Sequence, residues 1–518
     1  MKIIGSELQR IIKGDVWLDT SVREAYSTAV CMYKVLPYAV VAPKDIEDVQ
    51  RLVTFCSENE IAIIPRGGAT GMVGQAVGLG IIVDFKKYFH SFIQYNVQEQ
   101  TVKVQAGVIT SSINKTLLPH KRIFPVDPQS WKDCTIGGNI ATNASGPHGI
   151  KYGATKDHVK EMTVVLSNGE LAVLQNDAVT ASSTASKKMF DSTAALLHSH
   201  KELIASKKPK TAKWSSGYNI FEATTEIGFN PIKLFCGSEG TLGIVTDAVL
   251  DTIPIPPCHL SVVVYCDSYE QTAEATQVAL NFDPSAVELL DKSYADYGKG
   301  MNSAVNALID KEFQAMLAIE FEGVDSKELL NRADTMVSKL RETRLISDSQ
   351  NLITTEDQNV IWALREEISQ QLNRLETVQK KISVVEDGTV PIKHLPSYLT
   401  GVKRILNNYR IPFTLYGHAG TGNVHCATLV DFSDDASRRN IELAAIEIFD
   451  LALSLDGVLS GEHGDGYVRT PFQRKAFGND IYAIFEKVKT IFDPQNIFNP
   501  GKVVGKQDGN FLHDIKYS

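Results

Sequence analysis

Two short glycine-rich stretches late in the chain gather side chains that can hold a metal ion or move a proton. Tyr416-Gly-His-Ala-Gly-Thr-Gly-Asn-Val-His425 sets His418 and His425 seven residues apart. The first ends one strand pattern and the second begins the next, so a tight reversal can bring both imidazoles to one side. Gly461-Glu-His-Gly-Asp-Gly466 adds Glu462 and His463. Two imidazoles and a carboxylate suit a divalent ion and leave coordination positions open for substrate. A lone histidine is more often a satisfied polar residue; clustering in two glycine-rich loops reverses those odds. Arg365, in Ile-Trp-Ala-Leu-Arg-Glu-Glu-Ile, offers a fork that matches a carboxylate. Pairing with a neighbouring glutamate on a solvated face is an equal reading of that arginine.

Three further segments suit a flat, phosphate-bearing ligand. Pro65-Arg-Gly-Gly-Ala-Thr-Gly-Met-Val-Gly74 has four glycines in ten residues directly after an apolar run. Backbone N–H groups left uncovered by side chains can close on phosphate oxygens. The spacing is not G-x-G-x-x-G, so a Rossmann dinucleotide site is not indicated. Asp133-Cys-Thr-Ile-Gly-Gly-Asn-Ile-Ala-Thr-Asn-Ala-Ser-Gly146 is small and rich in hydroxyl and amide donors, and Cys236-Gly-Ser-Glu-Gly-Thr-Leu-Gly-Ile-Val245 is the third. One such loop is an ordinary surface turn about half the time; three in one domain are hard to explain that way.

The elements that must carry these groups alternate irregularly, which predicts an α+β fold. YAVVAP, IAIIP, GIIVDF, TVKVQAGV and MTVVLSNGE read as strands, and Ile46, Val49, Leu52, Val53 and Cys56 fall at helical spacing behind a capping Asp45. Residues 1–34 read as short helices, and 176–230 as helical excursions and long loops. Ile253-Pro-Ile-Pro-Pro257 is a stiff segment that marks a boundary. Beyond it LSVVVYC, MLAIEFEG, ISVVEDGTVP, IPFTLYGH and NVHCATLV read as strands of an antiparallel sheet, with helices between them.

The chain has 518 residues, 43% hydrophobic, with a net charge of -9. That length predicts two to four domains at about 150 residues each. The mild acidity argues against nucleic acid as a main partner. Its one basic cluster, Lys201 to Lys213, reads as a solvated loop. No apolar run reaches the roughly 18 residues of a membrane span. The N-terminal fifteen residues carry Glu7, Arg10 and Lys13 among apolar positions and read as an amphipathic helix rather than a signal peptide. The seven cysteines, at 31, 56, 134, 236, 258, 266 and 426, form no C-x-x-C. Reduced thiols in a cytoplasmic protein fit them, without a disulfide framework or an internal iron–sulfur cluster.

Taken together, these motifs resemble the FAD-linked oxidases of the vanillyl-alcohol oxidase type, with their bipartite PCMH-type FAD-binding domain. Within them the chain is similar to the D-lactate, glycolate and D-2-hydroxyglutarate dehydrogenase branch, from about Leu36 to Val503. The resemblance implies an N-terminal helical segment at 1–35, an FAD-binding domain at 36–256, and a substrate-binding α+β cap at 257–458. Residues 459–518 would return to the FAD domain. The pyrophosphate loop would be Pro65, Arg66, Gly67, Gly68, Ala69, Thr70, Gly71 and Met72, with Gly74. Thr135, Gly137, Gly138, Ala141, Thr142, Asn143 and Gly146 would meet the flavin ring and ribityl chain, with Tyr152 and Gly153 beside them. Gly240, Ile244 and Val245 match the adenosine edge, and Asn499 a C-terminal asparagine that reaches back. Gly68-Ala69-Thr70 carries no histidine where family members attach FAD covalently, so a dissociable FAD is expected.

The same resemblance makes His418, His425 and Glu462 the ligands of a divalent metal, zinc, manganese or iron. It makes His463 the base, Asn423 a substrate-side polar residue, and Arg365 the carboxylate-binding arginine. Thr421 stands where the family's aspartate is usual. A 2-hydroxy acid would meet the metal, lose its hydroxyl proton to His463 and pass a hydride to flavin N5. Val385 stands where hydroxyglutarate-type enzymes keep a lysine, which favours D-lactate or glycolate over a dicarboxylate. An iron–sulfur, cytochrome or quinone acceptor is implied as electron partner; a homodimer and a peripheral membrane position stay open. The rivals are a flavin-dependent transferase like the alkylglycerone-phosphate synthases, and a subunit that only relays electrons through FAD.

Overall fold

The computed structural model describes residues 2–226, 228–373 and 379–516. Three apolar runs near the N-terminus become neighbours in one sheet. Ala39–Ala42 and Ile63–Arg66 both pair in parallel with Ile81–Asp84. Every residue of Ala39–Ala42 and Ile81–Asp84 is buried, as expected of parallel strands covered on both faces. Helix Ile46–Glu58 makes one crossover, and the Asp45 side chain caps it by accepting the Asp48 N–H. Asp15–Trp17 adds antiparallel to the free edge of Ala39–Ala42. That strand lies in a region expected to be helical; backbone pairing with an open edge outweighs local propensity.

A second sheet has six antiparallel strands, with Val159–Val165, Ile244–Asp251 and Thr101–Gln105 at its centre. The Asn168-Gly169 turn joins Val159–Val165 to Leu171–Gln175, and Gly169 supplies its φ of +77°. Between 176 and 230 the structure is more helical than loop-like at first, with helices Thr184–Ser199 and Lys201–Ser206. Ile253–Pro254 forms a two-residue ladder with Arg122–Ile123, an edge position that proline tolerates.

From Cys258 onward a larger sheet forms, and it is antiparallel throughout. Strand side chains alternate between faces. Val262, Val264, Leu317, Leu289, Leu415 and Cys426 pack under helices Tyr269–Leu280, Ser326–Glu342 and Leu395–Asn408. Val263, Tyr265, Met316, Leu290, Tyr416 and Ala427 face the other way, against helix Thr355–Asn373. Glu288, His418 and His425 share the parity of this second face. The expected strand ISVVEDGTVP is interrupted: only Lys380–Ile382 and Gly388–Thr389 pair with Asn423–Val430. Asp387 breaks the run with φ +75°, because its carboxylate and that of Glu386 turn in to hold the histidine loops.

The C-terminal helix Asn479–Phe492 buries Ile481, Phe485, Val488 and Phe492 in the core of the six-stranded sheet. Ile63 and Phe498 then bridge the tail to the first sheet. Among the described residues no helix is long and apolar enough to cross a membrane.

Candidate active site

The hairpin Phe413–His418 and Asn423–Val430 sets Tyr416 opposite His425. His418, two residues beyond Tyr416, points to the same face. Gly422 makes the reversal at φ +71°, and a Cβ there would fall 2.0 Å from the Val390 carbonyl oxygen. The loop Gly461–Gly466 crosses above this face, held from beneath by Asp387. That carboxylate accepts the N–H groups of Glu462 at 3.2 Å and His463 at 2.8 Å, together with the Ser460 hydroxyl at 2.5 Å. Glu239, from the third glycine-rich segment, accepts the next N–H groups, Asp465 at 2.6 Å and Gly466 at 3.0 Å.

Three imidazoles thereby converge on one oxygen. Glu462 Oε1 lies 3.0 Å from His418 Nε2, 3.2 Å from His425 Nε2 and 3.5 Å from His463 Nε2. Each ring turns its other nitrogen toward a second carboxylate. His418 Nδ1 is 2.7 Å from Glu288, His463 Nδ1 is 2.8 Å from Glu386, and His425 Nδ1 is 3.7 Å from Glu386. Such outer carboxylates fix the tautomer and orientation of ligating histidines. Burial pushes Glu462 toward its neutral form, but Lys213 and His418 overcome that and hold it well below the usual carboxylate range. Glu386 is likewise held well below its ordinary value by His463 and His425, against burial.

These groups border one cavity of about 520 Å³, within the range typical of cofactor and ligand sites. Arg365, His418, His425, Glu462 and His463 line one part of it. All three glycine-rich segments line the rest: Pro65 through Met72; Thr135, Gly137, Gly138, Ala141 and Thr142; Gly240, Ile244 and Val245. The segments pack too closely to accept side chains. A Cβ on Gly67 would meet the Thr135 hydroxyl at 2.1 Å, and one on Gly68 the Asp133 carbonyl oxygen at 2.2 Å.

Seven expected site residues are not on the cavity wall. Asn423 donates to the Asp387 carboxylate at 2.9 Å and to Thr389 at 2.8 Å, which braces the hairpin, while its Oδ1 has no hydrogen-bond partner among the described residues. Gly74, at φ +94°, lies against Tyr33 and Tyr467. Asn143 ends helix Ile136–Thr142 in the left-handed region at φ 51°. Gly146 lies on the Asp127 backbone, and Gly153 turns at φ +76° beside the Asp157 carboxylate. Tyr152 reaches across to Glu322 at 2.5 Å. Asn499 donates to the carbonyls of Gln75 at 3.0 Å and Glu239 at 2.7 Å, tying two cavity segments together from behind. These residues shape the cavity without lining it.

Further residues take their place in the fold, among them Glu386 and Asp387 of the Glu386-Asp-Gly-Thr-Val-Pro391 segment, which resembles the segment before a strand that lines the family's pocket. Glu288, Glu386 and Asp387 hold the histidines. Gln75, Glu239, Ser145, Lys381 and Tyr416 line the cavity. The acidic pair Glu386-Asp387 beside a glycine was a visible signal; Glu288, in a plain strand, left none.

The family described as FAD binding domain matches residues 37–175, and the one described as FAD linked oxidases, C-terminal domain, matches 255–503. The chain belongs to the FAD-linked oxidases. D-2-hydroxyglutarate dehydrogenase of Haemophilus influenzae is 28% identical over 518 aligned residues, covering 95% of this chain and 50% of that protein. The chain therefore spans about half the length of that relative. Glycolate oxidase subunit GlcD of Bacillus subtilis is 28% identical over 487 residues, covering 92% of this chain and 91% of GlcD. Among solved structures, p-cresol methylhydroxylase with substrate bound superposes with a TM-score of 0.69 at 14% identity, covering 98% of both chains. That last likeness shows a shared α+β fold with antiparallel sheets.

Proposed function

We propose that the chain is a metal-assisted FAD dehydrogenase that oxidises a D-2-hydroxy acid, of the D-lactate or glycolate kind, to the 2-oxo acid. The observation that carries this reading is the convergence of three imidazole Nε2 atoms on Glu462 Oε1, at 3.0 to 3.5 Å, on the wall of the glycine-lined cavity. The names of the H. influenzae and B. subtilis relatives support the substrate class. The division at 36–256, 257–458 and 459–518 is proposed with it, since the antiparallel sheet starts at Cys258 and the C-terminal helix packs back on the first half.

Both cofactors fit the residues present. Gly67 and Gly68 press the first two glycine-rich segments together along the cavity, and backbone N–H groups of such loops suit a pyrophosphate. FAD held there non-covalently would supply the hydride acceptor, flavin N5. His418, His425 and Glu462 are a donor set for a divalent transition metal; Glu288 braces His418, while Glu386 stands 3.7 Å from His425 Nδ1, beyond hydrogen-bond reach. A divalent ion there would lower the pKa of the substrate hydroxyl.

The remaining work falls to side chains of this chain. Arg365 is anchored by Glu288 at 2.7 Å, while its Nε has no partner among the described residues. A guanidinium on the cavity wall suits the substrate carboxylate. His463 is placed to take the hydroxyl proton at Nε2, because Glu386 accepts at Nδ1 and leaves the Nε2 lone pair free in the neutral ring. Burial lowers the His463 pKa, but Glu386 and Asp387 more than offset this and raise it to about 9. That value describes a ring facing only anions; a cation at the Nε2 cluster opposes it.

Val385 is buried at the position expected to mark substrate size, but Lys381 lines the same cavity. The test is therefore anaerobic flavin reduction against a panel of D- and L-2-hydroxy acids that includes D-2-hydroxyglutarate. Bleaching with a D-acid supports the proposal, and no bleaching with any acid overturns it. A separate electron acceptor, an iron–sulfur protein, cytochrome or quinone, is proposed as partner, in keeping with the subunit status in the GlcD name.

A further inference from the structure

The basic cluster Lys201 to Lys213 reads as a solvated loop, yet its last member is buried, with 8% of its surface exposed. Lys213 Nζ lies 2.7 Å from Glu462 Oε2 and 3.1 Å from the Ser145 hydroxyl. Ser145 donates to the same Oε2 at 2.8 Å. The two oxygens of Glu462 are thus divided. Oε1 faces three imidazoles, and Oε2 is enclosed by a lysine and a serine from the other half of the molecule.

The backbone around Lys213 is built to deliver it there. Ser215 N donates to the Ser460 carbonyl at 2.9 Å, and Gly217 N donates to the Asp465 carboxylate at 2.7 Å. The Ser215 hydroxyl reaches the Gly461 carbonyl. The stretch 215–217 therefore runs along 460–465 and is pinned on both sides of Glu462. On the far side, the Trp214 ring stacks under the ammoniums of Lys156 and Lys208, which draws the indole away from the cluster.

We infer that Lys213 is a positioning residue of the metal centre: by occupying Oε2 it makes Glu462 a one-oxygen ligand and, with Ser145, fixes that ligand to the flavin-side wall. The inference rests on the proposed metal centre. A carboxylate with both oxygens free can swing or bind through both. With Oε2 held, only Oε1 is offered, and its direction is set by the FAD-binding half, while His418 and His425 come from the cap. The three ligands meet only when the two halves are docked.

The test uses full-length holoprotein and zinc alone as probe. Zinc affinity is measured by competition with a chromophoric chelator, and zinc coordination by X-ray absorption at the zinc edge. For Lys213→Met the expected result is a loss of affinity of about 10- to 100-fold, the usual effect of removing an outer-shell partner, with an added oxygen scatterer. Ser145→Ala should lose less than Lys213→Met. Flavin content and melting temperature establish that each variant is folded. If the parent binds zinc and Lys213→Met binds it as tightly with an unchanged edge spectrum, the role of Lys213 is overturned. If the parent itself binds no zinc, the metal centre is overturned and this inference with it; the two failures are read from different samples.

Discussion

Glu288 Oε1 lies 2.7 Å from His418 Nδ1, while its second oxygen lies 2.7 Å from Arg365 Nη2. Both contacts are sealed from solvent. One carboxylate on a central strand therefore orients a histidine of the proposed metal set and anchors the arginine proposed for the substrate carboxylate. Burial opposes its ionisation, but Arg365 and His418 prevail and hold its pKa below the ordinary value.

Glu288→Gln keeps the shape and removes the charge. Arg365 is then buried without a counter-ion, a situation that costs about 3–5 kcal/mol. The urea unfolding midpoint should fall accordingly, and zinc affinity should drop about 10-fold or more as His418 loses its brace. An unchanged midpoint would show that the pair carries no stability.

His463→Ala should keep bound FAD, since the glycine-rich walls are untouched, yet reduce it slowly. Loss of a positioned base lowers rates about 10²- to 10⁴-fold. Stopped-flow reduction by the active acid, followed in the flavin band, measures it. Equal rates in parent and variant remove His463 from the chemistry.

Gly68→Ala places a Cβ 2.2 Å from the Asp133 carbonyl oxygen, a backbone atom that cannot swing aside. The first two cavity segments must separate, and FAD should be lost from the purified protein. Gly149→Ala is the control, because its nearest contact would be an ordinary 3.6 Å to Ser145. The ratio of flavin to protein absorbance reads both, and a full flavin content in Gly68→Ala contradicts the close fit.

Much of this site is legible in residue order, for a physical reason. Glycine-rich loops after strands and paired histidines across a turn are local patterns, and local patterns survive in sequence. The strand parity that puts His418 beside His425 is likewise a local rule. Glu288 and Lys213 are different: their partners lie 130 and 249 residues away. Lys213 looks like its solvated neighbours until the fold carries it to Glu462. Asn423 and Asn499 are the opposite case. Their motifs are legible, but the partners their amides take are not: Asn499 ties to Gln75, Glu239 and Lys502, and Asn423 donates to Asp387 and Thr389 while its Oδ1 has no partner among the described residues.

His148 ties the segment after the second glycine-rich loop to the large antiparallel sheet, and this tie should depend on pH. Its Nδ1 lies 2.6 Å from Asp127, and its Nε2 lies 2.8 Å from Glu320 of strand Ala315–Gly323. Glu320 also accepts from Trp362, three residues before Arg365 on the same helix. His259, Glu322, Lys151 and Tyr152 complete the cluster. Burial opposes charge on His148, but Asp127 and Glu320 raise its pKa well above 6.5. Burial raises Glu320, but His148 and His259 outweigh it and bring it down to about 2. The histidine contribution is full below its unfolded value of about 6.5 and is lost as pH rises through the raised value. The Glu320 contribution is full above its ordinary value of 4.5 and is lost as pH falls through about 2. Both are complete between these limits, so His148→Ala should lose most relative to parent near pH 5.5, by about 3 kcal/mol. As pH rises through the raised value the gap should narrow, as the parent histidine gives up its proton and the tie between Asp127 and Glu320 weakens. Unfolding midpoints taken from pH 5.5 upward through the parent's His148 titration, itself followed by NMR, measure it, and a gap that does not change across that titration shows that His148 acts by packing rather than by charge.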